Sequence, residues 1–438
     1  MIEPTAMVDF RVVGSLPALS PCDRASLLDR SMSANGAEIR ETTRRIVDRV
    51  RRDGDAALIA LAAELDGVSL ASLEVPREKC SEALADLPAA LRRAMVRAAG
   101  NIEMVHRAGL PRVVETVPEV GIRVVRRPDP LRRVGVYAPG GRAAYPSSVL
   151  MGAIPARVAG VDEVILCSPP DSTGLPAQSV LAAAAIAGVD RVFAVGGAGA
   201  IAALAYGTAT IPRVDRIIGP GNAWVAEAKL QVSAVTGIDS PAGPSELLVI
   251  ADHTVSARVV ALEALAQAEH DPMATVVIIA LGESVTTAIA AEIAQRIPSQ
   301  PRESIISAAL RDRGALLTAD SLRQAIEFAN DFAPEHLLLA CADPAPIAAL
   351  SRNAGTVFIG ETSSVTYGDY LTGANHVLPT GALARSYSGL SVLDFMRWTT
   401  VQSVDRSAAA RLADDVSILA RAEGLPAHAA AAEMWSGQ

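Results

Sequence analysis

The chain has 438 residues, which is long enough for about two or three domains, and it is half hydrophobic but only 3% aromatic. Its 48 acidic side chains outnumber the 39 basic ones, which argues against a surface that binds nucleic acid or an anionic membrane. No apolar run approaches a membrane span, and Met1-Ile2-Glu3-Pro4 lacks the basic and apolar regions of a signal peptide. We therefore expect a cytoplasmic enzyme that acts on small molecules.

The four cysteines indicate neither a disulfide framework nor a thiolate zinc site, because Cys22, Cys80, Cys167 and Cys341 are widely separated and form no CxxC pair. A metal site in this chain would therefore use imidazole, carboxylate and amide ligands. Cys167, at the end of a predicted buried strand, could instead attack an aldehyde covalently. Because no basic residue lies near it in sequence, a structural role is the favoured interpretation.

The first quarter of the chain predicts one short strand and two long helices. Residues 8–13 have strand character, residues 37–65 carry apolar side chains at helical spacing, and residues 80–106 predict a second helix. His106 lies far from other reactive residue types in sequence, so we expect it to be structural or exposed.

From residue 133 onwards, short apolar strands alternate with small-residue turns and alanine-rich helices. Three of these strands recur about every 25–28 residues, the length of one strand-plus-helix unit, which predicts a parallel sheet with helices on its faces. Strands are expected at residues 134–139, 161–165, 189–193, 214–218, 246–251 and 275–281, with helices at 147–159, 257–270 and 284–297. Residues 315–319 and 356–359 predict strands of a second sheet, and a long loop after Gly360 leads to a C-terminal helix–turn–helix.

Two glycine-rich turns follow strands in this region. Residues 197–202 read Gly-Ala-Gly-Ala-Ile-Ala and match the dinucleotide motif GxGxxA, but the expected acid about twenty residues later is poorly matched, since Asp215 is too close. A tight strand-to-helix turn explains the motif equally well. Gly219-Pro220-Gly221-Asn222 is a second such turn, and several along one sheet edge indicate a crevice where helix N-termini can face phosphates. These residues are compatible with a nicotinamide cofactor without establishing one.

Polar side chains in the second half form the candidate active site. Gln267 and His270 lie three residues apart near the predicted end of a helix and so share one face, although His270 alone is more often a dipole-compensating residue than a metal ligand. Further polar residues lie in predicted loops: Glu335, His336, Asp369, Asn375, His376, Glu423 and His428. Each alone is explained as a surface or capping group. Together they favour a metal-dependent site, and nitrogen and oxygen ligands with few carboxylates suit zinc better than magnesium.

These motifs, in this order, resemble the histidinol dehydrogenase family over about residues 34 to 430. The likeness is carried by eight segments: Arg133-Val-Gly-Val-Tyr-Ala-Pro-Gly-Gly-Arg-Ala-Ala-Tyr-Pro-Ser-Ser, Ile218-Gly-Pro-Gly-Asn-Ala, Pro241-Ala-Gly-Pro-Ser-Glu, Gln267-Ala-Glu-His-Asp-Pro, Phe332-Ala-Pro-Glu-His-Leu, Gly368-Asp-Tyr, Asn375-His-Val-Leu-Pro-Thr and Glu423-Gly-Leu-Pro-Ala-His.

The resemblance implies an enzyme that makes L-histidine from L-histidinol in two successive oxidations, using NAD and one zinc ion per subunit. It implies that Glu335 and His336 are the catalytic acid–base pair. The implied zinc ligands are Gln267, His270, Asp369 and His428. The implied substrate contacts are Ser245, Glu423, His336 and the four zinc ligands, and the implied NAD contacts are Tyr137, Gly199 and Asn222.

The implied fold is α/β, with two incomplete Rossmann-like domains, each a parallel sheet with helices on both faces. The first domain comprises residues 34–136 and 245–390 and carries most of the metal and catalytic site. The second comprises residues 137–244, on the NAD side. Residues 1–33 are an N-terminal extension, and residues 391–438 form a helical tail that contributes to the partner subunit's site, so a homodimer with shared active sites is implied.

Gly199 departs from the family pattern, which usually has a glutamine there that helps to hold NAD. The glycine could let the pyrophosphate approach the backbone, or the affinity for NAD could be lower. A paralogous NAD- and zinc-dependent dehydrogenase of another amino alcohol or diol therefore stays an alternative. A zinc-stabilised binding or regulatory protein without catalysis is disfavoured, because Glu335 and His336 are both present.

Overall fold

The computed structural model describes residues 8–30, 36–140, 144–241 and 243–437. Residues 141–143 and Ala242, which belong to two of the sequence motifs, lie outside the described residues, as does part of the predicted N-terminal extension. Among the described residues, no helix has both the length and the apolar character needed to cross a membrane.

The described chain alternates between strands and helices for most of its length. The strands are β1 (Val12–Ser15), β2 (Glu74–Val75), β3 (Val114–Thr116), β4 (Ile122–Pro130), β5 (Arg133–Tyr137), β6 (Glu163–Ser168), β7 (Arg191–Ala194), β8 (Arg216–Ile218), β9 (Gly237–Ile238), β10 (Glu246–Ala251), β11 (Thr275–Leu281), β12 (Ala315–Ala319), β13 (His336–Ala340), β14 (Thr356–Ile359) and β15 (Met396–Val404). The helices are α1 (Pro21–Leu28), α2 (Gly36–Asp53), α3 (Asp55–Leu61), α4 (Arg77–Ala85), α5 (Ala89–Ala108), α6 (Pro146–Ala159), α7 (Gln178–Ala187), α8 (Gly197–Tyr206), α9 (Ala223–Val232), α10 (Ala257–Ala268), α11 (Glu283–Arg296), α12 (Glu303–Arg313), α13 (Leu322–Phe332), α14 (Pro344–Ala348), α15 (Val365–Tyr370), α16 (Arg406–Ala422) and α17 (Pro426–Glu433).

The first sheet has the order β1-β12-β11-β10-β13-β14, and all its neighbouring strands are parallel. Its central strands are apolar on both faces, as expected for a parallel sheet between helices. Helices α10, α11 and α12 pack on one face, and α1 and α13 pack on the other.

The second sheet has the order β2-β7-β6-β5-β8-β9, with β2 antiparallel to β7 and the other neighbours parallel. Its helices approach closely because their contact residues are small. A Cβ on Gly152 of α6 would lie only 2.8 Å from Cγ1 of Val136, and a Cβ on Gly135 would lie 2.8 Å from Leu204. Small side chains therefore fill this core by close approach of the helices and strands, which agrees with the low aromatic content.

A third, antiparallel sheet has the order β15-β4-β3 and connects the C-terminal tail to the rest of the chain. Strand β15 pairs along its whole length with β4, from Met396 opposite Pro130 to Val404 opposite Ile122. The helix pair α16 and α17 follows, which confirms the predicted helix–turn–helix at the C-terminus.

The α/β fold with parallel sheets between helices is confirmed, but several predicted elements differ in detail. The helix expected at residues 37–65 is interrupted at Gly54, whose φ of +55° suits a glycine, and it ends in a π-helical turn at Ala62–Asp66. The helix expected at residues 80–106 is interrupted before Pro88, which precedes α5. The placement of β12 and β14 in a separate sheet was wrong, because both share the first sheet with β10 and β11.

The N-terminal elements also pack against other sheets than the implied domain boundaries predict. Strand β1, within the predicted extension, pairs with β12 in the first sheet. Helices α2 to α5, expected in the first domain, bury Val50, Leu58 and Met95 in the core that surrounds the second sheet. The apolar faces of these helices explain their position, since they complete the cover of that sheet. The exact domain boundaries stay a prediction.

Candidate functional site

Helix α10 ends at the amino-terminal edge of the first sheet, where the chain turns back into β11. Gln267, in its last turn, is 4% exposed, and its side-chain Nε2 has no hydrogen-bond partner in the part of the chain that the structure describes. His270 follows just after the helix with an exposed side chain, and its backbone N–H donates to the carbonyl of Gln267 at 3.3 Å. A buried amide N–H without a partner is costly in a finished core, so Gln267 is a candidate contact for a bound hydrogen-bond acceptor, and its side-chain oxygen is the atom that could bind a metal.

Glu335 and His336 lie at the same edge, where β13 begins beside the first residue of β10. The backbone N–H of Glu246 donates to Oε2 of Glu335 at 2.7 Å, and Nδ1 of His336 lies 3.1 Å from the carbonyl oxygen of Glu246. Because a carbonyl only accepts, Nδ1 of His336 carries the proton and Nε2 is left as a free base. Both residues are buried: Glu335 is 6% exposed and His336 is 4% exposed.

Burial sets the protonation of this pair. Burial raises the pKa of Glu335 well above its usual range, although the N–H of Glu246 opposes that rise; the carboxylates of Glu246 and Asp369 add to it. Burial also lowers the pKa of His336 to about 4, so its imidazole is neutral at physiological pH. At neutral pH the imidazole is therefore in the form that can accept a proton, and the raised pKa of the carboxyl shifts its titration toward neutrality.

Asp369 is brought to this pair by α15, whose first residue is tied to α10. The carboxylate of Glu263 accepts a hydrogen bond from the N–H of Val365 at 3.0 Å. Oδ1 of Asp369 lies 3.8 Å from Nε2 of His336, and the carbonyl oxygen of Asp369 lies 2.8 Å from Nδ1 of His376. Burial raises the pKa of Asp369 to about 7, and the carboxylate of Glu263 adds to the effect.

The donor types at this sheet edge are compatible with a metal. Gln267, Asp369 and His270 offer amide, carboxylate and imidazole donors, the types that bind zinc. In the described part of the chain, no three His, Cys, Asp or Glu side chains come together as a metal-binding group. The raised pKa of Asp369 fits a site in which a cation would compensate a buried carboxylate.

Glu423 and His428 lie on the C-terminal tail, at the end of α16 and on α17, and both are exposed. The tail packs beside the third sheet, where the N–H of Asp405 donates to the carbonyl of Gly121 at 2.9 Å. Ser245 is half-buried just before β10, and its carbonyl accepts from Thr275 at 3.0 Å. The chain therefore gathers its site residues at one sheet edge, except for those on the tail.

The predicted cofactor contacts lie at the carboxyl ends of the second sheet's strands. Tyr137 ends β5, and its hydroxyl accepts a hydrogen bond from the N–H of Gly197 at 3.1 Å, at the start of α8. Asn222 caps α9, since its Oδ1 accepts from the N–H of Val225 at 3.1 Å. Helices α8 and α9 thus both begin at the edge of the second sheet where ligands of parallel α/β sheets bind.

Gly199 lies inside the first turn of α8 and is buried. A Cβ at this position would lie 3.3 Å from Cδ2 of Leu58 and 3.4 Å from Cδ1 of Leu61. The glycine therefore faces α3 closely, and its lack of a side chain contributes to the packing of α3 against α8. The sequence analysis did not foresee this contact.

Several charged residues that support the site were missed. Glu246 begins an apolar strand, Glu263 lies within an apolar helix, and Lys229 is buried with its Nζ 2.5 Å from Oδ1 of Asp239 and 2.5 Å from the carbonyl of Gly219. The signal that could have found them is a lone charge inside an apolar run, because burying a charge is costly without a partner. The partner itself lies too far away in sequence to be identified.

Cys167 is fully buried at the end of β6, and burial raises the pKa of its thiol far above the usual range. A nucleophilic cysteine needs the opposite shift, toward the thiolate. The favoured structural interpretation of this residue agrees with its surroundings.

Comparisons with known proteins identify relatives that match nearly the whole chain. The family model of histidinol dehydrogenase matches residues 29–435. The histidinol dehydrogenase of Methanosarcina barkeri is 43% identical over 417 residues, covering 94% of this chain and 95% of that protein. The one of Natronomonas pharaonis is 47% identical over 418 residues, covering 95% and 98%. The crystal structure of histidinol dehydrogenase from Elizabethkingia anophelis matches with a TM-score of 0.92 and 32% identity over 98% of both chains.

Proposed function

Because this chain belongs to the histidinol dehydrogenase family, we propose that it oxidises L-histidinol through L-histidinal to L-histidine, the last step of histidine biosynthesis. The proposed enzyme uses one zinc ion per subunit, reduces NAD in each of the two oxidations and works in the cytoplasm. The observation that carries the proposal is the pair Glu335 and His336, held by hydrogen bonds to the two peptide groups of Glu246.

In the first oxidation, His336 would act as the general base on the primary alcohol. Its Nδ1–H is fixed by the Glu246 carbonyl, so the lone pair of Nε2 is available to take the hydroxyl proton as the hydride leaves. Bound NAD would supply the hydride acceptor. A positioned base of this kind contributes about 10² to 10⁴ in rate.

In the second oxidation, Glu335 would activate the water that attacks the aldehyde. Burial raises the pKa of its carboxyl, which makes the carboxylate a better base than an exposed glutamate. Attack of the water gives the hydrate, whose carbon then loses a second hydride to form the carboxylate product. Glu335 and His336 would thus divide the two proton transfers between them.

The proposed zinc ligands are Gln267, His270, Asp369 and the partner subunit's His428. The donor types of Gln267, His270 and Asp369, together with the raised pKa of the buried Asp369 carboxyl, support this assignment from within the chain. Bound zinc would orient the amine and imidazole nitrogens of the substrate beside the acid–base pair. Ser245 and the partner subunit's Glu423 would complete the substrate contacts, and Tyr137 and Asn222 would contact NAD.

A homodimer is proposed because the tail and the third sheet expose many large apolar side chains. Ile418 and Leu419 of α16 are 65% and 66% exposed. The others on these elements are Val114, Trp398, Val401, Val404, Val416 and Met434. A second copy would cover this surface and bring Glu423 and His428 to its partner's Gln267 and Asp369.

The proposal is tested by offering the zinc-loaded protein L-histidinol and NAD while NADH and histidine are measured. We expect two NADH and one histidine for each histidinol consumed. NADH from a different amino alcohol or diol, with none from histidinol, would favour the paralogous dehydrogenase instead. No NADH from any alcohol, despite a stoichiometric amount of bound zinc, would favour a non-catalytic zinc protein.

A further inference from the structure

Arg30, shortly after α1, is buried beside the residue that holds the candidate acid–base pair. Its side chain is 4% exposed, and its Nε lies 3.0 Å from Oε1 of Glu246, whose side chain is 3% exposed. The guanidinium carbon lies 3.5 Å from the ring centroid of Phe332, and Nη2 donates to the Phe332 carbonyl at 2.5 Å. Arg30 is thus fixed by an ion pair, an aromatic face and a backbone carbonyl.

Burying this ion pair has a high cost in desolvation free energy. Taking two charges out of water often costs more than their attraction returns, unless every remaining polar atom is hydrogen-bonded. Among the described residues, neither Nη1 of Arg30 nor Oε2 of Glu246 has a hydrogen-bond partner. A buried ion pair with unsatisfied atoms is weak evidence for stabilisation of the fold, which points to a role other than stability.

Glu246 gives that explanation through its backbone. Its N–H donates to Glu335, and its carbonyl accepts from Nδ1 of His336, so one residue orients both members of the pair. Its carboxylate also accepts from the N–H of Gly381 at 2.9 Å, in the loop that follows the metal-site residues. Arg30 and Gly381 therefore fix the side chain of Glu246, and the backbone of Glu246 in turn fixes Glu335 and His336.

We propose that Arg30 and Glu246 are a positioning pair for the acid–base machinery, with neither residue contacting the reacting atoms. The inference rests on the proposed function of Glu335 and His336. Arg30 fixes where β10 begins, and its charge balances the Glu246 carboxylate, which would otherwise lie uncompensated beside Glu335. The segment predicted as a mere N-terminal extension thereby takes part in catalysis.

The test compares Arg30→Met, Glu246→Gln and the double variant with the wild type. We expect each single variant to lower kcat about 10- to 100-fold, because small misplacements of catalytic groups have effects of that size. The KM for NAD and the zinc content should stay unchanged, because Arg30 and Glu246 lie apart from the second sheet. The double variant should be no worse than the poorer single variant, because the two residues act as one unit.

Arg24→Met is the matched control. Arg24 lies on α1, pairs with Asp331 at 2.6 Å and lies 5.2 Å from the ring of Phe328, but both charged side chains are substantially exposed. It therefore repeats the interactions of Arg30 without the link to β10, and its loss should leave kcat unchanged. Arg30→Lys keeps the charge and serves if Arg30→Met does not fold; we expect an intermediate kcat because lysine lacks the planar fork.

A spectroscopic measurement separates this inference from the proposed reaction. Selective ¹⁵N labelling of the six histidines, with His336 assigned by its absence in His336→Asn, reports which ring nitrogen carries the proton. We expect the Nδ1–H form in the wild type and in Arg24→Met, and a shifted or mixed signal in Arg30→Met. An unchanged signal with wild-type kcat would overturn the positioning role. A shifted signal in Arg30→Met, combined with a wild-type protein that never forms NADH, would keep that role and reject the proposed function.

Discussion

Nδ1 of His336 lies 3.1 Å from the carbonyl oxygen of Glu246, and this contact decides which ring nitrogen is basic. The carbonyl accepts the Nδ1 proton, so Nε2 is free and points toward Asp369, whose Oδ1 is 3.8 Å away. A backbone carbonyl fixes the tautomer in every protonation state of the neighbouring carboxylates. The site can therefore keep a neutral base in a region crowded with acidic groups.

Replacing His336 with asparagine should reduce turnover by about 10² to 10⁴, because the positioned base is lost while a polar side chain remains. Zinc content, measured by elemental analysis, should stay at the wild-type level, since His336 is not among the proposed ligands. His253→Asn is the control, because His253 is exposed just after the carboxyl end of β10. Loss of zinc along with activity would reassign His336 as a ligand.

Glu335→Gln should slow the oxidation of histidinal more than that of histidinol, because only the second step needs an activated water. The amide keeps the oxygen that accepts from Glu246, so the local structure should persist. Stopped-flow traces with each substrate supplied separately measure the two steps. Glu327→Gln, an exposed change on α13, should leave both rates unchanged. Equal losses in the two steps would argue against a water-activating role for Glu335.

Cys167→Ala should retain wild-type turnover, because burial raises the pKa of the thiol and keeps it protonated. In the native protein, a thiol reagent at pH 8 should modify the exposed Cys22 but leave the buried Cys167 unmodified. Mass spectrometry of the digested protein locates the label. Inactivation of the enzyme by labelling at Cys167, prevented by substrate, would restore the covalent mechanism.

Sequence patterns predicted the parallel sheets well because a strand and its following helix are local features. Strand β10 and helix α10 were predicted within a few residues, from an apolar run and from the proline that follows the helix. Strand β13 was missed, because Glu335-His336 begins it and polar residues after a proline suggested a loop. Polar catalytic residues at the start of a buried strand interrupt its apolar pattern, so the strand is not recognised from the sequence.

The partners of the site residues were beyond the reach of the sequence. Gln267, His270 and Asp369 were candidates from the sequence pattern, but their grouping as one ligand set came only from the family resemblance. Glu246 was identified only as part of a motif, and Arg30 was not singled out. The ion pair between Arg30 and Glu246 joins residues more than two hundred positions apart, and nothing local in either segment indicates the other. Long-range pairing is a property of the tertiary fold, which no single segment encodes.

Shared active sites can be tested by mixing two inactive variants. Gln267→Ala and His428→Ala should each lose zinc and activity as homodimers. A mixed dimer carries one site with both changes and one with neither, so random exchange should restore about a quarter of the wild-type activity per chain. Unfolding and refolding the two together, then assaying NADH formation, measures the recovery. As a control, a mixture of Gln267→Ala and Asp369→Ala should recover no activity, because one subunit supplies both of these residues to each site.

His106 makes the stability of the fold depend on pH. It lies buried in the last turn of α5, and its Nε2 has no hydrogen-bond partner within the described chain. Burial lowers the pKa of this imidazole, although Asp394 opposes the shift. The unfolded chain takes up a proton at about pH 6.5, whereas the folded chain does so only at lower pH. Stability should therefore fall as the pH drops below about 6.5, until the folded pKa is passed. His106→Leu should flatten this fall in thermal melts between pH 7 and 5, whereas exposed His253→Leu should not. An unchanged slope in His106→Leu would contradict the assignment.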